Sequence, residues 1–281
     1  MSQERVIVIT GATAGIGRAA AMALARIGAS LVLVARDAAR ATATVEDIAR
    51  ETGNRNVAVV LGDLGIQAEV RRVAAELLSR APRIDVLLNN AGVVNLRYTT
   101  TSDGIETTFA VNHLAYFMLT LLLREALYAA PAARIVNVAS DAHRWGRLDF
   151  ADLGQARRYR AMRVYGQSKL CNILFTYELA HRLAASSVTA NCLHPGAVAT
   201  RLGQNNGRIA TALTRMLAPF FRTPEGGADT AVYLATDPAV SATSGGYFAN
   251  RLPIRSASIT YDEATRRRLW AASESLTAVR W

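Results

Sequence analysis

Tyr165 and Lys169 stand four residues apart in the run V-Y-G-Q-S-K-L. On a helix that spacing puts both side chains on one face. A phenol has an unperturbed pKa of about 10, too high for efficient proton transfer near neutrality. A neighbouring ammonium favours the phenolate and lowers that value. The pair therefore has the makings of a general acid/base. Lys169 is the single lysine among 32 basic residues, and the others are arginine. Arginine suffices wherever else a cation stands, so this one position calls for a compact ammonium on a flexible stem. Ser140 closes a strand-like run at 133–139. Ligands of open α/β sheets gather at such strand ends, where a hydroxyl can donate to a substrate oxygen in an oxyanion-hole role.

A second constellation concerns phosphate. Residues 10–17 read T-G-A-T-A-G-I-G between a strand pattern and a helix pattern, with Gly11, Gly15 and Gly17 as the glycines and Thr13 and Ile16 in the same loop. Glycine lets the chain turn sharply and brings backbone close to a pyrophosphate. The helix N-terminus behind it offers free N–H groups and a positive dipole end. The next strand, LVLVA, ends at Ala35 and is followed by Arg36 and Asp37. Arg36 suits the 2′-phosphate of NADP(H). Asp37 is preferred as the N-cap of the following helix; the alternative makes it the acid that holds the ribose of NAD.

The elements that must position these groups follow from hydrophobic periodicity. Strand patterns run over 5–10, 30–35, 56–61, 84–89, 133–139 and 187–193, with a short one near 246–249. Helical patterns lie at 15–28, 38–52, 66–81, 104–128, 155–185, 224–236 and 262–275. This alternation predicts an α/β fold: a Rossmann-like doubly wound parallel sheet of about seven strands, with helices on both faces and right-handed crossovers. The 281 residues form one domain, 1–281, with substrate-lobe segments near 143–164 and 197–222.

Composition narrows the class. Half the residues are hydrophobic (51%), enough for a sizeable core. No apolar run reaches the roughly 18 residues of a membrane span, and a cytoplasmic protein is expected. Cys171 and Cys192 are far apart in sequence and read as core filling. His113, His143, His181 and His194 show no ligand-like pairing, so no metal is expected. The net charge of +10 raises nucleic acid as a partner, yet only R-R-Y-R-A-M-R at 157–163 gathers basic and aromatic residues, and no nucleic acid is expected.

Together these pieces resemble the short-chain dehydrogenase/reductase family. The match spans nearly the whole chain: TGATAGIG at 10–17, Asp63-Leu64 after the third strand, N-N-A-G at 89–92, Asn112, Ser140, Y-G-Q-S-K at 165–169 and P-G-A-V-A-T at 195–200, in that order. V-N-H-L at 111–114, Y-G-Q-S-K-L-C-N at 165–172 and L-H-P-G at 193–196 are most similar to the retinol dehydrogenases and NADP-linked carbonyl reductases within it. The resemblance implies that Asp63 and Leu64 flank the adenine. Asn90, Ala91 and Gly92 then line the adenosine ribose side, and Pro195, Gly196, Val198 and Thr200 hold the nicotinamide end. It further implies that Lys169 binds the nicotinamide ribose and that Asn112 holds a water in a proton relay with Lys169. Relatives often pair through the helix carrying the Tyr165 position, so a homo-oligomer is open.

The expectation is thus an NADPH-dependent oxidoreductase that moves a hydride between nicotinamide and a lipophilic ketone, aldehyde or secondary alcohol. A cofactor-sensing but catalytically silent relative is the alternative, although such a protein would usually have lost the tyrosine or the lysine. The pocket is expected to be walled by Trp145, Leu148, Phe150, Leu153, Tyr159 and Met162 in one segment. In the other the candidates are Leu202, Ile209, Leu213, Met216, Leu217, Phe220 and Phe221. The competing expectation is that these residues only pack helices together.

Overall fold

In the computed structural model the described residues are 5–196 and 222–281. The second pocket segment, apart from Arg222, and the expected cofactor residues Val198 and Thr200 lie outside them.

Short apolar runs such as VIVIT, SLVLVA and VLLN suit strands covered on both faces, and shorter or more polar segments complete the sheet. They form β1 (Val6–Thr10), β2 (Ser30–Ala35), β3 (Val57–Leu61), β4 (Val86–Asn89), β5 (Arg134–Val138), β6 (Thr189–Leu193), β7 (Tyr247–Ala249) and β8 (Leu252–Pro253). The sheet order is β3-β2-β1-β4-β5-β6-β7-β8. All neighbours are parallel except β7 and β8, where Ala249 pairs with Leu252. The sheet thus has one strand more than the seven expected. Its last two-residue strand follows a tight turn at Asn250 and Arg251, both in the left-handed region. Too short to show any periodicity, β8 left no pattern to read.

The helices are α1 (Gly15–Arg26), α2 (Ala38–Thr52), α3 (Gln67–Arg80), α4 (Thr107–Phe109), α5 (Ala115–Leu122), α6 (Arg124–Tyr128), α7 (Ala161–Arg182), α8 (Pro224–Thr236) and α9 (Glu263–Thr277). One uninterrupted helix was expected over 104–128. Instead a π-helical turn, Ala110–Leu114, separates α4 from α5, and Leu123 breaks α5 from α6. Such turns often mark functional sites, and this one carries Asn112. The helix expected from residue 155 begins at Ala161, after a short 3-10 turn at Ala156–Arg158.

Two apolar layers sandwich the sheet. One packs α1 and α8 against Ile7, Ile9, Leu31, Leu33, Leu88 and Val136. The other packs α3, α5 and α7 against Val8, Val32, Leu87 and Ile135. Each fully buried aliphatic side chain of this kind stabilises the fold by about 1.5–3 kcal/mol. Every residue from Gly166 to Leu179 on α7 is buried. Its outer side is covered by the chain's own α9, through Leu269 and Trp270. Leu148, Phe150 and Leu153 join that cluster beside Leu170 and Leu174. Those three residues pack against the helices and are not among the residues that line the cleft described below. Tyr159 is likewise tied down, donating from its hydroxyl to the Asn95 carbonyl at 2.6 Å. Trp145 and Met162 remain exposed.

Candidate active site

The strand order reverses direction between β1 and β4, and a cleft opens there at the carboxyl ends of the strands. Its volume is about 350 Å³. Each central strand delivers one part of the lining: the glycine loop after β1, Arg36 after β2, Asp63 and Leu64 after β3, Asn90 to Gly92 after β4, Ser140 after β5, and Pro195 and Gly196 after β6. Tyr165 and Lys169 enter from α7.

The glycine loop is built for close approach. Gly11 has φ +68°, which an L side chain rarely adopts. A Cβ on Gly17 would lie 2.3 Å from the Gly11 carbonyl oxygen and 2.4 Å from Asn90 Nδ2. Thr13, Gly15 and Ile16 line the cleft beside them. Among the described residues no side chain caps α1, and no acidic residue stands in its first turn. Its N–H groups and positive dipole end are left to face the cleft.

Asn90 lines the cleft and braces it as well. Its backbone borders the cleft, but its Nδ2 donates to the carbonyls of Thr10 at 2.8 Å and Gly11 at 3.2 Å. Thr10 completes the brace, its hydroxyl accepting from the N–H groups of Asn90 at 2.9 Å and Ala91 at 3.0 Å. Asn90 and Thr10 therefore weld the end of β4 to the end of β1. Sequence reasoning missed Thr10; its place directly before Gly11 was the signal. It also missed Arg40, which lines the cleft one helical turn past Arg36.

Arg36 is exposed on the cleft rim, and among the described residues it has no ion-pair or hydrogen-bond partner. Asp37 caps α2, its Oδ1 accepting from the Arg40 N–H at 3.0 Å. A second oxygen of the same carboxylate lies 3.4 Å from Arg40 Nε. Asp63 turns its carboxylate to the Gly65 N–H at 2.9 Å.

Ser140 caps the 3-10 turn Asp141–Trp145, its Oγ accepting from the Ala142 N–H at 3.2 Å. Tyr165 lines the cleft with it, and the serine hydroxyl favours the ionised form of the phenol. Lys169 is 3% exposed and donates from Nζ to the Val138 carbonyl at 2.9 Å. The same ammonium lies 5.7 Å from the ring centres of both Tyr116 and Tyr165.

The electrostatics differ from the expectation that the lysine lowers the tyrosine pKa. Burial pushes Tyr165 up to about 12, opposed by the Ser140 hydroxyl. Burial brings Lys169 down to about 7. Desolvation penalises the charged form of each group and is the leading cause of both shifts.

Asn112 does not line the cleft but stands behind its wall. Its Oδ1 accepts from the Val93 N–H at 2.8 Å, and its Nδ2 donates to the Val93 carbonyl and to Ser168 Oγ, both at 3.0 Å. Both amide hydrogens are thus committed, and the side chain clasps the segment after β4 to α7. His113 is buried against Ser273, and His194 Nδ1 accepts from the Gly196 N–H at 3.1 Å. Cys171 and Cys192 are buried and unpaired.

Comparison with known proteins agrees with this geometry. Residues 5–209 match the family model for short chain dehydrogenase. Human retinol dehydrogenase 13 is 40% identical, over 98% of this chain and 85% of its own length. DnrU of Streptomyces sp. (strain C5), to which a daunorubicin C-13 ketoreductase activity is ascribed, is 43% identical over 96% of this chain and 91% of its own. Among solved structures, an uncharacterized protein from Mycobacterium paratuberculosis superposes with a TM-score of 0.78 at 34% identity, covering 98% of this chain and 94% of that one. A structure from Escherichia coli CFT073, described as a short chain dehydrogenase complexed with NADPH, gives a TM-score of 0.67 at 26% identity over 87% and 95% of the two chains. The chain belongs to the short chain dehydrogenase family of oxidoreductases.

Proposed function

We propose that the protein is an NADPH-dependent oxidoreductase that interconverts a lipophilic ketone or aldehyde and the corresponding alcohol, with Tyr165 as general acid/base. One observation carries the reading: Tyr165 and Lys169, one turn apart on α7, meet Ser140 at the end of β5, over a cleft that begins at a glycine loop. The cradle fits a dinucleotide. Gly17 lets α1 start hard against the Gly11 carbonyl and the Asn90 amide, where a Cβ would clash, the N-cap residue of α1 supplies no side-chain cap, and Arg36 has no partner among the described residues. Gly11, Thr13, Gly15, Ile16 and Gly17 hold the pyrophosphate, and Arg36, aided by Arg40, holds the 2′-phosphate. Asp63, Leu64, Ala91 and Gly92 border the adenosine half, and Pro195, Gly196, Val198 and Thr200 the nicotinamide half.

The bound nicotinamide supplies or accepts the hydride. Tyr165 donates its phenolic proton to the oxygen of the carbonyl as that oxygen gains charge, and takes a proton from the alcohol in the reverse sense. Ser140 donates a hydrogen bond to the same oxygen. Lys169 holds the nicotinamide ribose, and its ammonium returns a proton towards the phenolate. Asn112 fixes the wall at Val93, and its Oδ1 keeps a lone pair for the relay towards Lys169. A lipophilic substrate agrees with relatives named for retinol and for a daunorubicin ketone, and with the exposed Trp145 and Met162 near the catalytic turn.

A panel of carbonyl compounds, from small hydrophilic ketones to aromatic and polycyclic ones, assayed by loss of NADPH absorbance, tests this. Aromatic or polycyclic members should give the highest kcat/KM. The best values falling on small hydrophilic ketones would refute the substrate class, and no turnover of any member would refute the activity.

A further inference from the structure

Three residues past Ser140, the fully buried His143 has both ring nitrogens engaged by backbone. Nδ1 lies 2.8 Å from the Ser140 carbonyl oxygen, and the His143 backbone N–H reaches that oxygen at 3.1 Å. Nε2 lies 3.0 Å from the backbone nitrogen of Ala257, 114 residues further on. A carbonyl oxygen only accepts and a backbone N–H only donates. One neutral tautomer satisfies both, with hydrogen on Nδ1 and a lone pair on Nε2. The ring is held edge-on against Tyr247, with centres 5.2 Å apart.

The Ala257 segment is itself anchored. Ser256 Oγ bonds the Tyr177 hydroxyl at 2.9 Å and Thr260 Oγ1 at 2.6 Å. Tyr177 lies on α7, the helix that carries Tyr165. Arg144 adds a second tie, donating to the Arg255 carbonyl at 2.9 Å. The short turn that carries Ser140 is thereby referenced to the same helix as Tyr165, by a path through the C-terminal segment.

We propose that His143 is a positioning residue: it fixes the peptide plane of Ser140, and with it the aim of the Ser140 hydroxyl at Tyr165, against the segment 255–261. This rests on the hydride-transfer reading above. A purely space-filling imidazole would leave the choice of tautomer and the identity of its partners without consequence for turnover.

Two measurements test it. In protein labelled with 15N-histidine, which has four histidines to assign, the His143 resonances should report hydrogen on Nδ1 and a bare Nε2; hydrogen on Nε2 alone overturns the contact. In kinetics on the best ketone of the panel, His143→Leu should lower kcat by about 10- to 100-fold, as misplacement of a catalytic group does. His143→Asn keeps a donor near the Nδ1 position and should stay within about threefold of the parent. NADPH affinity should stay within about twofold in both, since the cradle is untouched. A His143→Leu enzyme with parental kcat, equal losses in the two variants, or a matching loss of NADPH affinity overturns the proposal. Ala257 has φ −62°, which proline accepts, so Ala257→Pro deletes the N–H that meets Nε2 and little else. It should lower kcat by about threefold or more at unchanged NADPH affinity, and parental kcat there overturns the proposal even if no His143 variant folds. A parent that reduces no carbonyl compound refutes the proposed function instead, and the tautomer still decides the contact.

Discussion

Lys169 donates its ammonium to the carbonyl of Val138 at 2.9 Å, joining the middle of α7 to the last residue of the strand that presents Ser140. The lysine thus holds the two halves of the proton-transfer apparatus in register. A guanidinium is planar and larger, and cannot occupy a space that is 3% exposed while keeping that bond. Lys169→Arg should therefore lower ketone-dependent NADPH oxidation by about 100-fold or more, as misplacement by about 1 Å does. Its melting curve should remain cooperative. Activity within about tenfold of the parent would make the lone lysine an accident of composition.

The buried lysine also sets a pH dependence of stability. Its pKa falls from 10.5 unfolded to about 7 folded, so the unfolded chain binds more protons between those values. Its contribution is present in full above pH 10.5, declines as pH falls, and is lost below about 7. Tyr165 moves the opposite way, from 10.0 to about 12, so its contribution is complete below pH 10 and is lost only above it. Of these two groups only the lysine changes its contribution between pH 7 and 9.5, and the buried thiols of Cys171 and Cys192, which start from 9.0 unfolded, are common to the parent and a lysine variant. Denaturant unfolding of the parent and of Lys169→Met across that range should show the parent gaining a few kcal/mol relative to the variant as pH rises. Parallel curves would place the lysine in a far wetter setting than this one.

Arg36 stands on the cleft rim without a partner among the described residues. A charge-assisted bond to phosphate contributes about 1.5–3 kcal/mol, or roughly 10- to 150-fold in affinity. Titration by NADPH and NADH fluorescence should show NADPH preferred by about that factor, and Arg36→Ala should remove most of the difference, with Arg40 retaining a remainder. Equal affinities in the parent would return Asp37 to consideration as a ribose ligand.

Gly17→Ala should abolish NADPH binding in the accessible range and lower Tm, because the new methyl group meets the Gly11 carbonyl and the Asn90 amide at 2.3 and 2.4 Å. Differential scanning fluorimetry with and without NADPH reads both effects. A stabilising shift by NADPH equal to that of the parent would mean that this turn is merely tight.

What the sequence revealed was local chemistry. Gly11, Gly15 and Gly17 declare a turn by residue type, Asp37 declares a cap by the helix that follows it, and Tyr165 with Lys169 share a face by spacing alone. What stayed hidden depends on partners distant in the chain. Asn90 sits in the expected place, but only the fold shows its amide turned to Thr10 and Gly11, 80 and 79 residues away. Leu148, Phe150 and Leu153 are apolar residues in a loop without periodicity, and nothing in their order says that Leu170, Leu174 and Leu269 will receive them. The π-helical turn at Asn112 falls within a continuous helical pattern, where helix type leaves no mark on hydrophobic periodicity. The Tyr165 pKa departs from expectation for a related reason: charge spacing is legible in sequence, whereas the depth of burial is not.

The central claim is that Tyr165 handles the proton for a hydride transfer to carbonyl carbon. Its most direct test is NADPH oxidation by the parent and by Tyr165→Phe with the same lipophilic ketone, alongside the NADPH Kd of each. The parent should form one alcohol per NADPH consumed. The phenylalanine variant should be about 100- to 10,000-fold slower at an unchanged Kd, the range that general acid catalysis supplies. A Tyr165→Phe enzyme that matches the parent would contradict the claim.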